Sequence, residues 1–361
     1  MRILYGVQGT GNGHLSRSRL VLRELTVRGA EVDVLVSGRA ADQVPAMPGA
    51  RRVLHREGLT FAVKNGRVDS LNTALQASPR QAWRAMRSLN LERYDHIVTD
   101  YEPITAWAGR RQSRSVIGVG HQYAFGPGTP TAKGDPLARA LLRHFAPASR
   151  ALGLHWAPYG DGILPPIVDT ARLLRRACHG EVVVYLPWEN QAAVTAMLNG
   201  IPGWQFRVYG PVSAVQREGN VTRLPVSREG FHGDLCGAVA VICNAGFELT
   251  SEAIHLGVPA LVRPLAGQFE QQSNAVALAA AALATVMPEL SRTFIQTWLE
   301  GSPPVVKCRY PDVAAAVAQW VVEGAIACPS ILASALWSGV SLADSPVSLP
   351  IGCAQPASKA T

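Results

Sequence analysis

The sequence predicts an α/β protein of two doubly wound, parallel-sheet domains that face each other across a cleft. Three observations carry this. Short apolar runs alternate with segments of helical period over most of the chain, as in βαβ units whose strands are covered by helices on both faces. A Gly/Pro-rich stretch at residues 159–167, Tyr-Gly-Asp-Gly-Ile-Leu-Pro-Pro-Ile, breaks both periods once, and the alternation then restarts. The length of 361 residues is enough for two such domains of ordinary size.

In chain order, residues 2–7 form an apolar run that ends in glycines and reads as the first strand. Leu15, Val21, Leu22 and Leu25 follow at helical spacing until Gly29, a suitable C-terminal stop. Residues 31–36, 96–99 and 115–119 read as further buried strands. Past the break come strands at 182–186, 205–209, 240–243 and 260–262, with helices near 190–198, 249–256 and 269–282. These readings give a first domain over residues 1–160, a linker at 161–168 and a second domain over 169–310. A helix within 311–324 is expected to pack back toward the first domain. Residues 325–361, rich in Ser, Ala and Pro without a sustained period, are expected to form a poorly ordered tail.

Nearly half of the residues are apolar and 17% are charged, the composition of a well-cored soluble protein. The net charge of +8 favours an anionic partner. The basic residues are diffuse, and no aromatic-interleaved basic stretch points to nucleic acid. Arg17, Arg19, Arg23 and Arg28 crowd the first helix, and Arg80, Arg84 and Arg87 a second region. Residues 137–145 mix leucines with Arg139 and Arg143. That pattern suits a surface helix resting on anionic lipid, and equally a solvated basic face. The six cysteines (Cys178, Cys236, Cys243, Cys308, Cys328 and Cys353) lack CxxC or Cys/His metal spacing and read as reduced thiols. Residues 1–8 are too short for the apolar region of a signal peptide, and no run of about eighteen apolar residues predicts a spanning helix. The expected location is cytoplasmic, at most peripheral at the inner face of the plasma membrane.

Gly9-Thr-Gly11-Asn-Gly13-His14 joins the first strand to the first helix. The loop is neither a dinucleotide fingerprint nor a P-loop: its spacing is GxGxG, the second strand ends in Ser37-Gly38 without an acidic residue, and no Gly-Lys-Ser/Thr follows. It does bring an imidazole to a helix start, and histidine suits a general base near neutral pH. Asp100 ends the strand His-Ile-Val-Thr-Asp, so its carboxylate is expected along the same sheet edge, where it could orient His14. His121 ends another strand on that edge and is the rival base.

The densest pattern spans residues 243–275. A strand ends at Asn244, Gly246 permits a tight turn, and a helix begins whose free N–H groups and dipole suit an anion such as a diphosphate. Glu252 stands about a turn further on, placed to accept ribose hydroxyls. A second polar cluster, Gly267-Gln-Phe-Glu270-Gln271-Gln272-Ser-Asn274-Ala275, follows the next strand.

The pattern Gly-x5-Glu-Ala-x3-Gly-x-Pro, followed by Glu-Gln-Gln and Asn-Ala, resembles the nucleotide-sugar motif of GT-B glycosyltransferases. It is similar both to the UDP-glycosyltransferase signature and to the peptidoglycan lipid-linked GlcNAc transferase group. Closest in pattern are the bacterial and archaeal glycosyltransferases related to that GlcNAc transferase (GT28-like). They share Gly-x-Gly-His, Asp-Tyr/Phe-Glu-Pro, Gly-x-x-His-Gln, Ile-Leu-Pro-Pro and Gly-Gln-Phe-Glu-Gln with this chain, in order over roughly residues 1–320. The resemblance implies two Rossmann-like domains, the first on the acceptor side and the second holding a nucleotide-sugar, with a UDP-sugar favoured. It implies diphosphate contacts at Gly246 and Phe247, a ribose contact at Glu252 and sugar contacts at Glu270 and Gln271. The loop around Phe231 would meet the base of the nucleotide. His14, supported by Asp100, would deprotonate an acceptor hydroxyl in one inverting step. The sequence has no Asp-x-Asp motif, so no metal cofactor is required, and the arginine-rich helices lean toward a lipid-linked or cell-envelope acceptor. The UDP-glycosyltransferase signature carries a histidine where this chain has Asn244, and Glu270 stands where relatives have Asp or Gln, so sugar identity does not transfer. Two other readings share the fold: a nucleotide-sugar epimerase and a non-catalytic nucleotide-sugar-binding protein.

Overall fold

The computed structural model describes residues 1–58, 62–64, 67–69, 79–133 and 136–342. The first sheet contains β1 (Arg2–Gln8), β2 (Glu31–Ser37), β3 (Ala50–Arg56), β4 (His96–Asp100), β5 (Val116–Gly120), β6 (Arg150–Leu154) and β7 (Ile163–Leu164). These strands are all parallel, in the order β3-β2-β1-β4-β5-β6-β7. The second contains β8 (Glu181–Tyr185), β9 (Gln205–Gly210), β10 (Gln216–Glu218), β11 (Val221–Pro225), β12 (Ala240–Asn244), β13 (Ala260–Arg263) and β14 (Thr285–Val286). Their order is β10-β11-β9-β8-β12-β13-β14, parallel except for the edge strand β10. Both sheets are doubly wound. Their winding reverses between β1 and β4 and between β8 and β12, the switch points beyond which such sheets open a ligand crevice.

The strands at the switch points are apolar almost throughout because helices cover both faces: β1 and β2 bury every residue after the first, and β12 every residue. Helix α1 (Asn12–Val27) returns from β1, and its expected apolar stripe of Leu15, Val21, Leu22 and Leu25 is buried. Helix α2 (Pro103–Arg111) follows β4. Glu102 caps it by accepting from the Ile104 and Thr105 amides, with Pro103 in the first turn. In the second domain, α3 (Arg228–Gly237), α4 (Phe247–Leu256) and α5 (Phe269–Ala280) follow β11, β12 and β13. One apolar core runs from β1 and α1 through Trp156 and Phe247 into the second domain, so the two sheets are packed as one body.

Two sequence expectations need correction. The stretch read as a linker contributes β7, whose residues pair with Gly153 and Leu154, so the first sheet extends past residue 160. The segment after residue 325, expected to be poorly ordered, carries α7 (Pro329–Ser338) and a short strand Ser341–Leu342 paired with Cys308–Arg309. Indole groups anchor it: Trp337 Nε1 donates to the Ile163 carbonyl at 2.7 Å and Trp320 Nε1 to that of Ala327 at 3.0 Å. An aromatic side chain with one polar atom gains both apolar burial and a directed bond there. Residues 343–361 of that expected tail, Cys353 among them, lie outside the described residues. Helix α6 (Val313–Val322) lies along α1, where Arg28 Nε donates to Gln319 Oε1 at 3.0 Å. Cys178, Cys236, Cys243, Cys308 and Cys328 are free thiols.

Candidate active site

The glycine loop delivers His14 to the cleft. Gly9 donates its amide to the Ser37 carbonyl at 2.7 Å. Gly11 takes φ 84°, a left-handed conformation that side chains disfavour, and it leaves the N-terminus of α1 without a side-chain cap. Gly13 lies directly beneath Glu248 of α4, where a Cβ would come within 2.7 Å of Glu248 Cγ. The two helix starts therefore meet backbone to side chain across the domains.

β4 ends at Asp100, and the chain turns through Tyr101 at φ 53°, a strained conformation for a bulky residue. The turn is held by the Tyr101 hydroxyl on the Leu142 carbonyl at 2.8 Å and by a ring stack with Phe145. Asp100 is fully buried, with His14 Nδ1 2.8 Å from its Oδ1. Arg17 Nη2, a donor, also stands 2.7 Å from that Nδ1. With the Nδ1 proton directed to the Asp100 carboxylate, which only accepts, the Nε2 lone pair faces the Gln122 amide. Gln122 Nε2 stands 3.5 Å from that Nε2 and donates to Glu270 Oε2 at 3.0 Å. One amide thus connects the candidate base to the polar cluster of the second domain.

Arg17, one turn along α1, is the residue that sequence reasoning assigned only to a basic face. It is buried, donating through Nε to Asp100 Oδ2 at 2.7 Å and through Nη1 to Glu248 Oε1. Ser18 also donates to Asp100 Oδ2, at 2.9 Å. Burial opposes charge on Asp100, but the Arg17 guanidinium and the His14 ring outweigh it and hold the carboxyl below its usual range. Glu248 behaves differently. Burial pushes it up to about 7 despite Arg17, and the neighbouring Asp100 and Glu252 carboxylates add to the rise. The i, i+3 spacing of His14 and Arg17 was the available signal that they share a helix face.

His121 does not act as a second free imidazole. It is fully buried, with Nδ1 2.8 Å from the Leu154 carbonyl and Nε2 2.7 Å from Asn274 Oδ1, and its ring stacks on Phe247 at 4.0 Å and 8°. Both nitrogens are in close polar contact, burial holds its pKa down, and the neutral ring donates through one of them only. The rival-base expectation is therefore corrected: His121 fastens the first domain to α4 and α5. Asn274, which donates to the Ala245 carbonyl at 2.9 Å, completes that fastening and had no assigned role in the sequence.

In the second domain Asn244 ends β12 with Nδ2 on the Arg263 carbonyl at 3.1 Å, while its Oδ1 is buried without a hydrogen-bond partner. Gly246 starts α4 with no side-chain cap, and a Cβ there would meet nothing within 4 Å. The first-turn amides of α4 thus have no side chain capping them. The Phe247 ring is buried under His121, leaving only its backbone for a ligand. Glu252 lies 3.2 Å from His232 Nε2 on α3. Phe231 lies within α3 rather than in a loop, edge-on to Tyr185 and Tyr209 with ring centroids 5.6 and 5.0 Å away. Glu270 stands in the first turn of α5, whereas the Gln271 side chain is buried and its Oε1 braces the turn by accepting the Leu265 amide at 3.0 Å. Gln122 Oε1 is a further buried acceptor without a partner. Two orphaned acceptors, one on each side of the cleft, mark where ligand donors are wanted. Among the described residues, no group of three or more His, Cys, Asp and Glu is placed to hold a metal.

A family model described as Glycosyl transferase family 1 matches residues 1–303. No curated protein matches the chain. Among solved structures, the glycotransferase of kitacinnamycin is similar at 16% identity over 93% of this chain and 98% of that one, with a TM-score of 0.58. The glycosyltransferase SnogD from Streptomyces nogalater is 16% identical over 90% and 99% of the two chains, with a TM-score of 0.53. The spinosyn rhamnosyltransferase SpnG, complexed with thymidine diphosphate, is 17% identical over 93% and 100%, with a TM-score of 0.55. At this identity the likeness is one of fold, the two-domain GT-B arrangement.

Proposed function

Since the chain belongs to glycosyl transferase family 1, we propose that it is an inverting, metal-independent transferase that moves a sugar from a nucleoside-diphosphate sugar, preferably a UDP-sugar, to an acceptor hydroxyl. The observation that carries the proposal is the buried Asp100 carboxylate on His14 Nδ1, with Nε2 directed into a cleft whose far wall is the uncapped start of α4. His14 Nε2 takes the proton of the acceptor hydroxyl as that oxygen attacks the anomeric carbon from the face opposite the leaving group. The bond to the diphosphate breaks, and its charge is received by the free amides and dipole of α4. Asp100 holds the tautomer and stabilises the imidazolium that forms. Glu252 serves the ribose, Phe231 borders the base and Glu270 receives a sugar hydroxyl, with Gln271 shaping the turn beneath it. A nucleoside diphosphate in a protein of the same fold supports the donor class. His14→Ala should lower kcat by about 10²- to 10⁴-fold while calorimetric binding of the donor is unchanged. Transfer at the normal rate by this variant would refute the assignment.

We further propose a lipid-linked, cell-envelope acceptor (GT28-like chemistry) met at an anionic membrane surface. The helices Pro79–Ser88, α2 and Pro136–His144 carry seven arginines and no acidic residue. Two tryptophans stand out from this face, Trp83 at 53% and Trp107 at 36% exposure, each under a guanidinium of its own helix. Tryptophan beside arginine suits a headgroup layer, where each basic residue contributes about 1 kcal/mol. No described helix is long and apolar enough to cross a membrane. Sedimentation with phosphatidylserine vesicles that disappears in Trp83→Ala/Arg84→Gln supports this reading; equal sedimentation with neutral vesicles contradicts it.

A further inference from the structure

α1 carries two chemistries on opposite faces. His14, Arg17 and Ser18 gather around Asp100, whereas Arg19, Arg23 and Thr26, roughly 120–180° around the helix from His14, line a separate cavity of about 430 Å³. Asp169 and Arg172, from the segment joining the domains, and Arg228, at the start of α3, complete its wall. Four guanidinium groups therefore meet one lining carboxylate, with Glu24 beside Arg23 at 3.2 Å as the other nearby acid. Asp169 is only 3% exposed, and its cations are loosely placed: Arg23 Nη1 and Arg228 Nη2 each stand 3.8 Å away, beyond hydrogen-bond reach. Asp169 Oδ1 and Arg228 Nε are both buried without a hydrogen-bond partner. An orphaned acceptor and an orphaned donor in one wall are uncommon unless something else satisfies them. Burial and the proximity of Arg228 both lower the basicity of Arg19, the sign of like charges held together.

We infer that this cavity binds a phosphomonoester, with Arg23, Arg172 and Arg228 receiving the phosphate, Arg19 adding positive charge while its Nε and Nη2 hold the Ala46 carbonyl, and Asp169 accepting a hydroxyl of the same ligand. Guanidinium forks match phosphate oxygens in geometry as well as charge. A hydroxyl, whether on the phosphate itself or on an attached sugar, supplies the donor that Asp169 Oδ1 lacks. Because the wall is drawn from both domains and the segment between them, an occupied site favours the closed arrangement over any open one. The cavity borders the cleft without belonging to it: Arg228 is one turn along α3 from His232, the partner of Glu252.

The test is calorimetric titration of the full chain at constant ionic strength, first with inorganic phosphate and then with a hexose phosphate. Saturable binding is expected, weakened tenfold or more in Arg228→Ala and in Arg172→Ala, the latter at an exposed position. A hexose phosphate that binds more tightly than inorganic phosphate, and loses that advantage in Asp169→Asn, identifies the sugar as the source of the hydroxyl; equal affinities identify the phosphate itself. Saturating UDP should leave the titration unchanged. Displacement by UDP would assign the phosphate to the donor cleft and overturn the inference. So would titrations of both arginine variants that match the wild type.

Discussion

Gly13 and Glu248 meet across the two domains so closely that a Cβ on the glycine would lie 2.7 Å from the glutamate Cγ. Gly13→Ala should therefore hold the domains apart at the point where His14 faces α4. Misplacement of this kind costs about 10²-fold in kcat/KM. Shortening the opposing side chain makes room again, so Gly13→Ala/Glu248→Ala should be more active than the single effects added together imply. A double-mutant cycle measures this, and strict additivity would refute the contact.

Arg17 satisfies two carboxylates from opposite domains, the buried Asp100 and the partly buried Glu248. Its removal leaves Asp100 charged, buried and short of its main partner. Arg17→Ala should lose about 3–5 kcal/mol of unfolding free energy in urea. Arg17→Lys, which keeps the charge but not the fork, should fall between that variant and the wild type.

Asp100→Asn preserves the shape of the pocket but can present an N–H to His14 Nδ1 and so favour the wrong tautomer. Turnover should fall by about 10²-fold or more, with donor affinity by calorimetry unchanged. A parallel loss of donor affinity would show that Asp100 acts on the donor instead.

Glu248 supplies a pH dependence. Its carboxyl is raised from the ordinary 4.5 to about 7, first by burial, so over that interval the folded chain holds a proton the unfolded chain has released. The stability this confers is complete below pH 4.5 and is lost as pH rises to about 7. Glu248→Gln lacks the titration. The unfolding free energy of the variant minus that of the wild type should rise with pH across this window and level off above it; a flat difference would contradict the burial argument.

His121→Phe keeps a ring to stack on Phe247 but removes the single N–H that the neutral imidazole donates to the Leu154 carbonyl or to Asn274 Oδ1. The acceptor left unsatisfied costs about 1–3 kcal/mol, which a thermal melt should register. Single-turnover rates at saturating donor should fall far less than for His14→Ala, separating the fastener from the base.

The strands flanking both switch points were legible because burial on two faces leaves continuous apolar runs, as in β1 and β12. β3, β10 and β11 were not, since strands at or next to a sheet edge, with exposed or half-exposed residues, carry no such run. α7 escaped because its apolar residues dock on β7, a partner far earlier in the chain, with Ile163 standing 174 residues before Trp337.

The sequence by itself determined the alternation of strand and helix, the placing of His14 and Gly246 at helix starts, and the meeting of His14 with Asp100 on one sheet edge, all of which follow from local periodicity and from the rule that parallel strands end on the same side. Only the tertiary structure decided which imidazole is free. His14 and His121 both follow strands of one sheet, and nothing local distinguishes them. Closure of the domains buries His121 between Leu154, Asn274 and Phe247 and leaves His14 Nε2 at the cleft. The same closure turns Arg17 from one surface arginine among several into the cation shared by Asp100 and Glu248, because a long charged side chain takes its role from the partners brought within hydrogen-bond reach.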